Sequence, residues 1–171
     1  MSISVRDARV SEIDRLWIEG TYRDYLDDLA PLNTGIFPIL GEVGHRGSDQ
    51  VARWFDDPTA HPLVIAQAAQ SVGFALVERA ATGDASRHVR YRMAEFFVSR
   101  PNRRRGVGGG AARLILDRFA GRWEIVEYLR NPDAVRFWRR VVSGYTQGRF
   151  EERIVNGEVR QVFESARKPG A

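Results

Sequence analysis

The sequence predicts a single α/β domain of the α+β kind, residues 1–171, with about seven strands in a mixed but mostly antiparallel sheet. Three observations lead there. Between Pro62 and Val98 the chain alternates short apolar runs with polar turns, the pattern of an antiparallel meander. From Met93 to Ala111 an apolar strand, an arginine loop and a glycine-rich helix start follow one another. Near the end, Asn156-Gly157 joins two strand-like runs and is the strongest short hairpin signal there is.

The elements follow in order. Ile3 to Val10 alternates as a first strand. Ser11 offers an N-cap with Asp14 as a capping-box partner, and a helix runs to about Ala30 with Ile13, Leu16, Trp17, Leu26 and Leu29 as its apolar stripe. Pro31 to Gly47, with four glycines and two prolines, reads as a loop with the composition of a mobile lid. Ser48 or Asp49 caps a short helix, Gln50 to Phe55. Pro62 to Ala68 and Val72 to Ala80 form two strands about a turn at Gln70-Ser71, and Ala81 to Arg87 is a polar turn before the strand ending at Val98. The helix after the arginines carries Ala111, Leu114, Ile115 and Phe119 on one stripe. Trp123 to Leu129 is a short buried strand, and Asn131-Pro132 caps and opens a helix burying Ala134, Val135, Trp138, Val141 and Val142. Gly148 to Val155 and Glu158 to Ser165 form the closing hairpin.

Composition narrows the function. There is no cysteine, hence no disulfide framework and no thiol nucleophile. His45, His61 and His88 stand alone, without metal-ligand spacing, and read as surface or loop residues; no metal is expected. No apolar run approaches a membrane span and the amino terminus lacks a signal core, so a cytoplasmic protein without a membrane partner is expected. A net charge of +4 and a pI near 9.9 invite nucleic acid. The basic residues are dispersed, however, and the one dense cluster, Arg103 to Arg105, has another use, so no nucleic-acid partner is expected.

That use is the binding of phosphate. Gly106, Gly108, Gly109 and Gly110 open a helix whose first N–H groups have no intrahelical acceptor, and three arginines precede them. Glycines there let a ligand come close to the backbone; the plain alternative is a flexible, soluble loop. A P-loop is excluded because Lys168 is the first lysine of the chain. A dinucleotide fingerprint is formally met by Gly106, Gly108 and Ala111, with Glu127 as ribose acid. Seven residues, Ser99 to Arg105, separate strand from glycines, however, where that fold needs almost none.

Arg103, Gly106 and Gly108 also match the Gln/Arg-x-x-Gly-x-Gly/Ala signature of the GNAT superfamily of acyl-CoA-dependent N-acyltransferases, which this stretch resembles. The preceding E-F-F-V and the later N-P-D-A-V-R-F-W, similar to the family's Asn-x-x-Ala helix start, extend the resemblance over Met93 to Val142; Gly73-Phe74-Ala75 resembles its third strand. The resemblance implies helices on both faces of the sheet and a fourth and fifth strand that splay apart around pantetheine. Acetyl-CoA is then the cosubstrate, and the acceptor is a primary amine of a small molecule or peptide, attacked directly in a ternary complex. The alternative is a non-catalytic acyl-CoA binding or sensing module. A homodimer is the one macromolecular assembly envisaged.

Residue by residue, the resemblance gives Phe97 and Val98 the role of holding the thioester, a main-chain N–H near Val98 polarising its carbonyl. Arg103, Arg104, Arg105, Gly106, Val107, Gly108 and Gly109 cradle the pyrophosphate, Asn131 and Trp138 line the coenzyme, and Tyr22 and Tyr25 wall the acceptor. Glu95, an acid in an apolar strand, is the candidate base; the alternative is a structural pair with Arg92 or Arg149. By period two Glu95 shares a face with Tyr91, Met93 and Phe97. The family's usual tyrosine, seven residues after the Asn, is here Trp138, whose indole is no proton source. Tyr145 is the nearest candidate acid; otherwise it packs with its hydroxyl in water.

Overall fold

A computed structural model describes residues 2–33, 48–80 and 90–166. They form β1 (Ile3–Asp7), α1 (Glu12–Leu29), α2 (Ser48–Asp56), β2 (Ala60–Gln67), β3 (Gln70–Ala80), β4 (Arg90–Val98), α3 (Val107–Arg118), β5 (Gly121–Tyr128), α4 (Pro132–Thr146), β6 (Glu151–Val155) and β7 (Glu158–Ser165). Most of the loop expected as a lid, the turn from Ala81 to Arg87, His45 and His88 lie outside the described residues.

One seven-stranded sheet runs in the order β1-β2-β3-β4-β5-β7-β6. Every neighbouring pair is antiparallel except β4 and β5. That parallel pair is short: Arg90, Tyr91 and Arg92 face Arg122, Trp123 and Glu124, and the register stops there. Met93 to Val98 therefore continue along β3 alone, while β5 continues along β7 to Tyr128. The sheet opens at its middle toward the C-terminal ends of both strands.

Helices cover both faces. On one, α1 and α2 bury Ile18, Tyr22, Tyr25, Val51 and Trp54 against Phe74, Leu76 and Phe97. On the other, Ala112, Ile115 and Leu116 of α3 and Trp138, Val141 and Val142 of α4 meet Ala75, Val77, Met93, Trp123 and Ile125. Trp123 anchors this layer: it is fully buried, its indole N–H donates to Phe119 O at 2.8 Å and Ser165 Oγ at 3.0 Å, and such burial contributes about 2–3 kcal/mol.

Several sequence expectations shift. The core stripe of α1 is shifted: Ile13 and Leu16 are exposed, while Trp17, Leu26 and Leu29 are half-buried against the core. Asp14, Ile18, Tyr22 and Tyr25 face inward at helical spacing. Asp14 is no capping residue: Arg6 of β1 holds its carboxylate at 2.7 and 3.0 Å, which makes an acid tolerable on the core side. An apolar count misplaced the stripe because two tyrosines and a paired acid carry it. On α3 the buried side is Val107, Ala111, Ala112, Ile115 and Leu116, and Leu114 is turned outward. The β2–β3 turn sits at Ala68-Ala69, both at positive φ, two residues before Gln70-Ser71. His61 is a strand residue, half-buried 5.1 Å from Phe119, where burial and then Arg9 lower its pKa. The Asn156-Gly157 turn forms as expected, with both φ values positive.

Candidate functional site

A bulge in β4 decides which side each of its residues serves. Leu76 of β3 faces Glu95 and the next residue, Val77, faces Met93, so Ala94 is an extra residue without a partner. Strict alternation fails there. Met93 stays in the layer under α3 and α4, whereas Glu95 and Phe97 turn to the α1–α2 side. The expectation that Glu95 shares a face with Tyr91 and Met93 is therefore corrected.

Glu95 is buried, 7 % exposed, and the Tyr25 hydroxyl donates to its carboxylate. Tyr25 in turn stands edge-on to Phe74 (5.4 Å) and Phe97 (5.7 Å), and Tyr22 stands edge-on to Trp54 (5.3 Å). The two tyrosines expected at an acceptor wall thus lie in the aromatic layer around Glu95. Tyr25 touches the acid itself, a link that residues seventy positions apart gave no way to foresee.

At the end of β4 the backbone polar groups divide between the two edges of the strand. Ser99 N–H donates to Val72 O at 2.9 Å, and a Cβ on Gly73 would collide with Phe97 O, so Phe97 and Ser99 both direct their polar groups at β3. Alternation then sends the Val98 N–H and carbonyl to the other edge, into the opening between β4 and β5. There Val98 O accepts Arg103 Nε at 2.6 Å.

That bond changes the reading of the arginines. Arg103 also pairs with Asp28 at the end of α1 and lies 5.4 Å over the Phe97 ring, and Arg100 meets the same carboxylate at 3.0 Å. Asp28 sits at a helix C-terminus, where a negative charge is disfavoured; two arginines offset this and fasten the loop to α1. Arg103 is thus a clasp for the loop. Arg104 and Arg105 are exposed, and among the described residues no carboxylate lies within ion-pairing distance of either.

The helix mouth is built from glycine. Gly106, at φ 80°, is the N-cap of α3 and has no side chain to cap the first turn; the first helical bond is Gly110 N–H to Gly106 O, at 3.0 Å. The Val107, Gly108 and Gly109 N–H groups precede it. The glycines are not equivalent, however. A Cβ on Gly108 would lie 3.1 Å from the Phe137 ring and one on Gly110 2.7 Å from Ile3, so both permit close packing, whereas Gly106 and Gly109 face open space. A polyphosphate fits this mouth: unpaired donors, open space where side chains are missing, and two exposed cations beside them.

On α4, Asn131 Oδ1 accepts Ala134 N–H at 3.2 Å, the cap read from the sequence. Trp138 is buried and stands edge-on to Phe96 (5.1 Å) and Phe137 (4.9 Å), which lines the α4 side of the opening with aromatic rings. Tyr145 is not brought to this place. Its hydroxyl donates to Asp117 Oδ1 at 2.8 Å, near the far end of α3, about 15 Å along that helix from Val107 at 1.5 Å per residue. Burial first, and then Asp117, raises its pKa.

The sequence matches no protein-family model and no curated protein. Solved structures match it along nearly their whole length. An acetyltransferase from Thermus thermophilus has 17% identity and a TM-score of 0.64, over 96% of this chain and 97% of that one. A GNAT-family acetyltransferase from Streptococcus agalactiae has 10% identity and a TM-score of 0.65, over 97% and 96%. Spermidine N-acetyltransferase from Vibrio cholerae, solved with CoA and spermine, has 11% identity and a TM-score of 0.61, over 95% of each chain. With its sheet parted between β4 and β5 and its glycine mouth on α3, the chain has the fold of the GNAT acetyltransferases.

Proposed function

We propose that the chain transfers the acetyl group of acetyl-CoA to a primary amine of a small molecule or peptide, by direct attack in a ternary complex. The observation that carries this is the parting of β4 from β5 after three paired residues, with the Val98 N–H aimed into the gap and the uncapped mouth of α3 at its end. Pantetheine extends along β4 as a further strand, the pyrophosphate takes the Val107, Gly108 and Gly109 N–H groups, and Arg104 and Arg105 supply positive charge. Phe96, Phe137 and Trp138 exclude water beside the thioester. The Val98 N–H donates to the thioester oxygen as negative charge grows there. Glu95 accepts the amine proton, directly or through one water, and Tyr25 holds its carboxylate in place. The Vibrio cholerae neighbour, which was solved with a polyamine, supports an amine acceptor.

The test is thiol release from acetyl-CoA over a panel of polyamines, amino acids and peptide N-termini. Release with at least one amine is expected, together with weaker coenzyme binding on joint Arg104→Ala and Arg105→Ala substitution. Tight coenzyme binding without turnover on any amine would favour the binding or sensing module, a reading encouraged by Trp138 and by the distant Tyr145.

A further inference from the structure

The last turn of α1 carries an acid where elementary electrostatics disfavours one. Asp28 lies at a helix C-terminus with no basic residue in its last turn, and its carboxylate stands against the arginine loop that leads to the proposed phosphate cradle. Neither the helix dipole nor an anionic coenzyme gains from that charge. Such a departure from local rules points to a role set by the tertiary structure.

The contacts of Asp28 show what that role is. A single 3-10 turn over Arg100–Asn102, closed by Asn102 N–H to Ser99 O at 2.9 Å and Arg103 N–H to Arg100 O at 3.2 Å, brings Arg100 and Arg103 to one side. Each takes one oxygen of the carboxylate: Arg100 Nε and Nη2 lie 3.1 and 3.0 Å from Oδ1, and Arg103 Nη2 donates to Oδ2. The pair with Arg103 is the inner one, since that side chain is 38 % exposed against 76 % for Arg100. The planar Arg103 fork also donates from Nε to Val98 O at 2.6 Å, on the edge of β4 that faces the opening. Helix α1 is thereby joined to the strand edge along which pantetheine is proposed to lie. Phe97 closes the joint: its ring centre lies 5.4 Å from the Arg103 guanidinium carbon and 5.7 Å from the ring of Tyr25, whose hydroxyl donates to Glu95.

The next residue is strained. Arg104 has φ 58°, left-handed backbone that a residue with a side chain seldom adopts, and Gly106 follows at φ 80° as the N-cap of α3. Such a turn persists only where its neighbours hold it. The clasp holds it on one side and α3 on the other, so the path of the chain into the Val107, Gly108 and Gly109 N–H groups depends on Asp28.

We propose that Asp28 is a positioning residue for acetyl transfer, acting through Arg103 on Val98 and on the mouth of α3. This rests on the acetyl-transfer reading. Asparagine in its place offers one acceptor oxygen and turns N–H groups toward the second arginine, so it cannot hold both. By charge alone the same change should help, because it removes a negative group near a polyanion and leaves two guanidinium groups uncompensated. Positioning and charge therefore predict opposite signs.

The experiment measures acetyl-CoA binding by calorimetry for the wild type, Asp28→Asn, Arg103→Gln and the double variant, each well below its melting temperature. Asp28→Asn should weaken binding about tenfold, and the loss should persist at high salt, where an effect of charge is screened. In the Arg103→Gln background the same substitution should add little, since the two residues act as one unit. Asp28→Glu keeps the charge on an arm one methylene longer and should recover most of the affinity. Asp28→Ser, which also removes the charge, carries the same test of sign if the asparagine variant does not fold. A merely structural role would lower the melting temperature and leave the affinity of the folded protein alone. Unchanged or tighter binding on loss of the charge, or losses that add in the double variant, would overturn the proposal. A wild type that binds no acetyl-CoA overturns the function and this role together, whereas a wild type and an Asp28→Asn variant that bind it equally well overturn this role alone.

Discussion

Replacing Glu127 by Gln should flatten part of the dependence of stability on pH. Burial first, and then Glu152, raises the pKa of Glu127, so in the folded chain it keeps its proton up to about pH 8, whereas in the unfolded chain it ionises near its ordinary value of 4.5. Between those values the unfolded state has lost a proton that the folded state retains, so stability falls as pH rises and levels off above about 8. At about 1.4 kcal/mol per pH unit, the group disfavours folding by roughly 3 kcal/mol at pH 7, and the full window amounts to roughly 5 kcal/mol. Glu127→Gln removes the linkage and keeps the shape. Urea unfolding at pH 5 and pH 8 isolates the effect, because every other titrating group is common to both proteins and cancels in the difference. The variant should gain roughly 3–4 kcal/mol on the wild type between the two pH values. Parallel stability curves across that interval would refute the reasoning and mean that Glu127 is ionised in the folded state.

Three other substitutions separate packing from chemistry. Gly73→Ala places a methyl group against the Phe97 carbonyl, backbone that cannot step aside, and should cost roughly 1–3 kcal/mol in thermal unfolding and weaken acetyl-CoA binding in calorimetry through the displaced Val98. Gly108→Ala meets only the edge of the Phe137 ring and should leave coenzyme affinity nearly unchanged, whereas Gly109→Ala points into open space and should reduce that affinity without loss of stability. Tyr145→Phe removes the bond to Asp117, so it should lower stability by about 1 kcal/mol and leave turnover unchanged in a steady-state assay.

What was legible in the sequence depended on how local the cause was. Asn131-Pro132 and Asn156-Gly157 act through their own backbone, and both motifs form where they were read. The order of strands, helices and arginine loop was legible for the same reason. The stripe of α1 was not, because Asp14 becomes a core residue only when Arg6 arrives from another strand. The role of Arg103 was hidden in the same way: its partner Asp28 is seventy-five residues away, and a signature cannot say whether a guanidinium faces a phosphate or a carboxylate. The missing side chain of Gly108 looked like room for a ligand alone, but its Cβ position also faces Phe137 on α4, a packing reason the sequence did not show. Tyr145 was reached by nearness in sequence to Trp138, but two helical turns carry it away along α4.

The bulge at Ala94 gives these details a common consequence. Without it Glu95 would stay on the face of Met93, in the layer under α3 and α4 and away from the Tyr25 hydroxyl. With one residue inserted, Glu95 and Met93 lie on opposite faces of the sheet. On the α1–α2 side the Tyr25 hydroxyl gives Glu95 a donor, which an ionised carboxylate needs. An acetyl group held at Val98, as proposed, would then have a proton acceptor on the α1–α2 side. In the proposed reading Trp138, at the family's usual tyrosine position, is a wall that keeps water from the thioester.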